Sequence, residues 1–226
     1  MKSYILISFF LLCFSHNLFS QKGEEKSKSL EIHVMPLAFY NSSPRFRVGV
    51  EYNYGPRFGY SVEIGAVKSF LSKGVVKSWS GGKDYSFFEI RPEIKYYLFK
   101  LDDHYSSIYC AAELYLIRKN DLQENGNFYR DDSYILFDEA RLHKTKYGIH
   151  IKAGIKKLIL KRFDIDLYGG AGVGQILVKY SDLIDPYVDV CHKQDEIFVS
   201  DEKREGEATK LHFTFGCKIG WVIFQK

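Results

Sequence analysis

The stretch Lys210–Phe224, KLHFTFGCKIGWVIF, sets Leu211, Phe213, Phe215, Cys217, Ile219, Trp221 and Ile223 against Lys210, His212, Thr214, Gly216, Lys218 and Gly220. A period of two belongs to a β-strand, and here its two faces are chemically unlike. A strand that crosses a bilayer needs roughly 9 to 11 residues with an apolar row toward lipid. This segment is long enough.

Seven further segments repeat the pattern. Leu30–Tyr40 places Leu30, Ile32, Val34, Ala38 and Tyr40 opposite Glu31 and His33. After a turn at Asn41–Pro44, Phe46, Val48, Val50, Tyr52 and Tyr54 oppose Arg47, Gly49, Glu51 and Asn53. Beyond Gly55-Pro56-Arg57, Phe58, Tyr60, Val62, Ile64 and Ala66 oppose Gly59, Ser61, Glu63 and Gly65. A Ser/Gly/Lys stretch, Leu71–Asp84, leads to a fourth strand with Glu89, Arg91, Glu93 and Lys95 on its polar face. The fifth covers Ser107–Arg118, the sixth runs from Lys146 to Lys156, and the seventh passes through Ile165, Leu167, Ala171 and Val173. Short turns follow the second, fourth and sixth strands, and longer segments the third, fifth and seventh. Only the first connection departs from this rule. The pattern predicts an all-β fold, an eight-stranded antiparallel transmembrane β-barrel of up-and-down type.

Alternation by itself does not say which face looks inward, because a soluble barrel also alternates. The glycines decide it. An eight-stranded barrel has an interior only just wide enough to be filled by side chains, and nearly every strand glycine except Gly169 shares its parity with the charges. Glycine beside Arg, Lys and Glu leaves room for long charged side chains, whereas rows of Phe, Tyr, Ile and Val would overfill the lumen. The apolar rows are therefore assigned to lipid. Tyr52, Tyr54, Phe58, Tyr60, Tyr96 and Trp221 gather near short turns or the chain end, as an interfacial aromatic girdle would.

The N-terminus reads as a secretory signal over residues 1–20: Lys2, then the apolar run Tyr4–Phe14, then Ser20 before the expected cut. Residues 21–29 read as a charged linker and 30–226 as the barrel. Of the 226 residues, 32 are Lys or Arg and 28 Asp or Glu, so the chain is near neutral and no nucleic-acid partner is expected. Cys110, Cys191 and Cys217 have no framework spacing and are expected to be free thiols.

The inward set contains Arg47, Glu51, Glu63, Glu89, Arg91, Glu93, Lys95, Glu113, His150, Lys152 and Asp166. Both signs are present, and unpaired charges in a narrow lumen are costly. The set reads either as a polar plug that ties strands together or as an ion path whose pairs rearrange. The plug is the simpler reading, because so small a barrel leaves little continuous water. Pro92 lacks an N–H and is expected at a bulge or a weakened ladder position.

The string Arg91-Pro92-Glu93-Ile94-Lys95-Tyr96-Tyr97-Leu98 resembles small bacterial outer-membrane β-barrels. These include a family of unknown function in which one strand reads Pro-Glu-aliphatic-Arg/Lys-Tyr-Tyr/Trp. The resemblance, extended by strand count over Leu30–Phe224, implies a barrel in the outer membrane and brings no catalytic residues with it. Gln225-Lys226 after Phe224 departs from the terminal aromatic common in such barrels.

The segments 119–142 and 180–208 read as long polar loops that could meet surface polymers, proteins or ligands. The second holds nine acidic residues, Asp182, Asp185, Asp189, Asp195, Glu196, Asp201, Glu202, Glu205 and Glu207, at no calcium-loop spacing. In the first, Asn127–Tyr129 and Tyr134–Phe137 could instead extend strands above the membrane. For ester hydrolysis, Ser133, His143 and His150 are candidates, but no Gly-x-Ser-x-Gly elbow or His-Glu-x-x-His helix is present. Gly169–Gly174 has the wrong spacing for a nucleotide loop. The expectation is a scaffold in contact with outer-membrane lipid, with a narrow ion-conducting pore as the alternative, no cofactor, no metal and no enzymatic activity.

Overall fold

The computed structural model describes residues 28–40, 45–68, 83–100, 106–130, 133–160, 162–188 and 203–225. The strands are β1 Lys28–Val34, β2 Phe46–Tyr54, β3 Phe58–Lys68, β4 Lys83–Lys100, β5 Ser106–Arg130, β6 Ser133–Leu160, β7 Phe163–Ile184, β8 Tyr187–Val188 and β9 Gly206–Gln225. Antiparallel pairing runs β5-β4-β3-β2-β1-β9-β7-β6, and β5 pairs with β6 to close a ring of eight. The short β8 lies outside the ring, paired with Ile135 and Leu136.

Following the rungs once round the ring from Val34 through Val48, Ile64, Ile90, Leu116, Tyr147 and Gln175 leads to Thr209. Val34's other partner is Ile219, about ten residues further along β9. This stagger tilts eight strands by roughly 40°.

The apolar rows face out. Val48, Val50, Val62, Ile64, Ile94, Leu114, Ile151 and Leu167 are each about half exposed, while Glu51, Glu63, Glu89, Lys95 and Glu113 are fully buried. A soluble barrel has the reverse arrangement, so this is the transmembrane kind. Around the short-turn end lie the aromatics: Phe58 and Tyr96 meet edge to face at 5.3 Å, and Phe163 and Trp221 at 4.3 Å. Tyr52, Tyr54 and Tyr60 point outward beside them.

On the tall wall the two faces exchange character. Along the inner face of β6 and β7, the polar Lys152, His150, Lys146 and Lys144 give way to Leu142, Ala140, Ile176, Val178 and Tyr180. Phe128 and Phe137 join that apolar cluster. Outward positions turn from Ile149, Val173 and Leu177 to His143, Lys179 and Ser181. Past this level the wall has an apolar inside and a polar outside, as a protein in water does. The exchange marks one edge of the lipid band.

Several sequence expectations are corrected. The first strand stops at Val34, and Pro36–Tyr40 forms a 3-10 turn that tucks Met35 and Ala38 into the lumen against Tyr109, Ala111 and Tyr168. Proline at 36 has no N–H to offer a ladder. The first connection is thus longer than the turn expected. Segment 119–142 is mostly strand, since β5 and β6 pair as a tall hairpin as far as Arg130 and Ser133. Segment 180–208 contributes the end of β7, β8 and the start of β9. Its acidic residues Asp189, Asp195, Glu196, Asp201 and Glu202 lie outside the described residues, as do residues 1–20. β1 begins at Lys28, inside the expected linker. Pro92 takes the second of its two expected places, a weakened ladder position: rungs to β5 are missing at Arg91 and Pro92, while the register is the same on either side, Ile90 to Leu116 and Glu93 to Glu113.

Candidate functional site

Alternation brings all eleven expected lumen residues to the inner face, where they form one connected set of ion pairs. Near the short-turn end Lys156 bonds Glu31 and reaches Glu51 at 2.8 Å. Lys95 Nζ lies 2.6 Å from both Glu51 and Asp166, and Tyr97 and Tyr109 donate to those same two carboxylates at 2.7 and 2.6 Å. Glu93 accepts from Lys152 at 2.6 Å and Lys218 at 2.9 Å, and Lys218 also meets Glu63 at 2.5 Å. Lys152 continues to Glu113.

Toward the other end the arginines dominate. Glu89 takes Arg45 at 2.5 Å, Arg47 at 2.6 Å and Arg91 at 2.9 Å. Arg91 and His150 both meet Glu113 at 2.9 Å. Seven carboxylates and seven Lys or Arg side chains make up this net, so its charge balances as a whole but not along its length. Burial of so many ions is tolerable only because each has close opposite charges and hydrogen bonds; taking one partner away from a buried pair costs about 3–5 kcal/mol.

Four members, Glu31, Arg45, Lys156 and Lys218, are absent from the expected core of the network. Lys156 and Lys218 had the right parity, and Glu31 did too. Arg45 lies just before β2, between the expected turn Asn41–Pro44 and the first residue of the expected strand.

Small residues make the filling fit. A Cβ at Gly154 would meet the Tyr109 ring at 2.5 Å, and one at Gly65 would meet Glu89 Cγ at 2.6 Å. Gly169, the glycine of opposite parity, faces outward with nothing within 4 Å of such an atom. Cys110 and Cys217 are free thiols, and Cys191 lies outside the described residues.

Beyond the arginines a cavity of about 580 Å³ opens toward the tall-hairpin end. Arg45, Arg47, Arg91, Lys119, Lys144, Lys146, His150 and His212 line it, with no carboxylate among the lining residues. The carboxylates that balance its arginines, Glu89 and Glu113, lie behind them. His150 is buried and stacks on Tyr115 at 4.4 Å; its Nδ1 is bound to Glu113, and its Nε2 has no hydrogen-bond partner among the described residues. A cup of this kind attracts anions.

The cup also reaches the barrel wall. β9 pairs with β1 only from Ile219 onward, while it pairs with β7 as far as Gly206. Leu211, Phe213 and Phe215, of which the two phenylalanines border the cavity, are therefore 76%, 79% and 83% exposed, well above the other outward large hydrophobics. Met35 and, from the 3-10 turn, Leu37 and Ala38 line the same cavity.

Glu31, His33 and Glu51 are close enough to share a metal ion. Lys156 bonds both of these carboxylates, so the position a cation would take is already held by an ammonium.

Of the candidates for ester hydrolysis, Ser133 pairs with Arg130 at the hairpin tip and His150 is engaged in the lumen. His143 is elsewhere, on the outer face. Its Nδ1 lies 2.8 Å from Asn120 Oδ1 and its Nε2 3.1 Å from Ser181 Oγ. Sequence reading missed Ser181 because its partner is 38 residues away and is set by the β6–β7 register.

No known family model matches the chain, and no curated protein is similar to it. Among solved structures it is similar to the crystal structure of Acinetobacter baumannii CarO, at 10% identity and a TM-score of 0.41, over 90% of this chain and 100% of that one.

Proposed function

We propose that this chain is a bacterial outer-membrane scaffold, closed to ion flow, that uses its tall-hairpin end to engage surface polymers, proteins or ligands. The observation that carries this reading is the connected net of buried ion pairs from Glu31 to Arg45, which crosses the lumen between strands that are not neighbours. A pore would need a continuous water path; here the charged side chains are spent on one another. The basic cup gives the outward end a preference for anionic groups, and the β5–β6 hairpin gives it reach.

Reconstitution into planar bilayers separates this from the narrow-pore alternative. The scaffold reading expects no single-channel steps from the unmodified protein. Steady steps that change with the charge swap of Arg91 and Glu93 would support the pore instead.

A further inference from the structure

At the level where the wall exchanges its faces, four polar side chains form a belt across the outside of β4 to β7. Asn120 Nδ2 donates to Ser86 Oγ at 3.4 Å, His143 Nδ1 meets Asn120 Oδ1 at 2.8 Å, and His143 Nε2 meets Ser181 Oγ at 3.1 Å. The belt has a direction. With its amide nitrogen on Ser86, Asn120 presents only its carbonyl oxygen to His143, so Nδ1 must carry the imidazole proton. That leaves the Nε2 lone pair facing the Ser181 hydroxyl, the arrangement by which a histidine held by a third group activates a serine.

Position supplies a second observation. Tyr147 and Leu177 are outward and exposed, and His143 and Ser181 each follow four residues further up the same strands. At about 3.3 Å per residue and a tilt near 40°, this places the pair roughly 10 Å above those side chains, among the headgroups rather than in hydrocarbon. Acyl esters of membrane lipids lie near this boundary. Positive charge is close by: in the ladder Arg141 is opposite Ser181 and Lys179 is opposite His143.

We propose that Ser181 and His143, positioned by Asn120, hydrolyse fatty-acyl esters of membrane lipids at the outer surface of the barrel. Ser181 Oγ bonds to the ester carbonyl carbon as its proton passes to His143 Nε2. The bond from that carbon to the alcohol oxygen breaks, and the leaving oxygen takes the proton from Nε2. Water then attacks the acyl-serine, gives a proton to Nε2, and the Oγ–carbon bond breaks as that proton returns to Oγ. The products are a lysolipid and a fatty acid. Lys179 and Arg141, whose Nε also meets Asp182 at 3.4 Å, put positive charge on the same strands as the site where the negative oxygen forms in each half.

The site rests on the reading that this face meets lipid, so its test includes a soluble substrate. The purified full chain in detergent is assayed with p-nitrophenyl butyrate, with phosphatidylethanolamine vesicles and with a fluorophosphonate probe. Hydrolysis of both esters and labelling of Ser181 are expected. Ser181→Ala should remove the labelling and lower turnover at least about 100-fold, while the heat-dependent gel mobility of a folded barrel is retained. Asn120→Ala should lower kcat with little change in KM, and Asn120→Asp should restore much of it. Turnover at the rate of protein-free detergent, or turnover and labelling that survive Ser181→Ala, would overturn the proposal. Cleavage of the soluble ester without the vesicle lipid would overturn the lipid substrate. A conducting but esterolytic protein would contradict the scaffold reading alone.

Discussion

Lys95 Nζ stands 2.6 Å from Asp166 Oδ2, joining β4 to β7 across the lumen between strands that are not neighbours in the ring. The same ammonium holds Glu51 of β2 at 2.6 Å. One buried cation thus ties three strands together. Lys95→Met would leave two carboxylates facing each other without it, and a loss of about 3–5 kcal/mol is expected. Lys95→Met with Asp166→Asn should lose less than Lys95→Met alone. Unfolding in urea, followed by the gel mobility of folded and unfolded forms, measures both.

The glycines offer a sharper contrast. Gly154→Ala places a methyl group where the Tyr109 ring now lies and displaces the hydroxyl that donates to Asp166. A cost of about 1–3 kcal/mol is expected from the overpacking. Gly169→Ala meets nothing within 4 Å and should change stability by no more than about 0.5 kcal/mol. Equal effects at the two positions would contradict the assignment of inner and outer faces.

Depth in the bilayer gives a third expectation. Val62 is outward in the middle of β3, paired with Val50 and Pro92, and Val62→Arg should cost about 2–4 kcal/mol. Tyr54 is outward at the short-turn end beside Lys28, and Tyr54→Arg should cost only about 0–1 kcal/mol. Folding into lipid vesicles at increasing urea reads the difference.

How much of this was legible in the sequence depends on where each signal resides. Within the lipid band, lipid and lumen impose opposite chemistry on alternate residues, so Phe46–Tyr54 and Phe58–Ala66 could be read strand by strand. Past the band the outer face turns polar, and the strongest alternation fades in 119–142. Strand there is imposed by the β5–β6 ladder, a nonlocal cause. The 3-10 turn escaped for a different reason: Ala38 and Tyr40 continue the parity of Val34 by coincidence, although Pro36 could not have served a ladder.

The charged set was legible as a set, but not as a network. Parity says that Arg47, Glu89 and Arg91 look inward; that three arginines converge on Glu89 depends on the stagger of the ring and on Arg45, which lies outside the alternating run. The Asn120–His143–Ser181 belt depends on two registers at once. Candidates drawn from residue type alone included His143 but not Ser181, the serine that faces it.

The most direct test of the inside-out barrel is a spin-label scan along β9, one label at a time in a cysteine-free background reconstituted in vesicles. Labels at Phe213, Phe215, Ile219 and Trp221 should collide with oxygen dissolved in lipid. Labels at His212 and Thr214 should respond to a water-soluble nickel complex through the basic cup, and one at Lys218 to neither. A period of two in oxygen accessibility is the expected result. Nickel accessibility at Phe215, Ile219 and Trp221, with oxygen accessibility at no position, would contradict it.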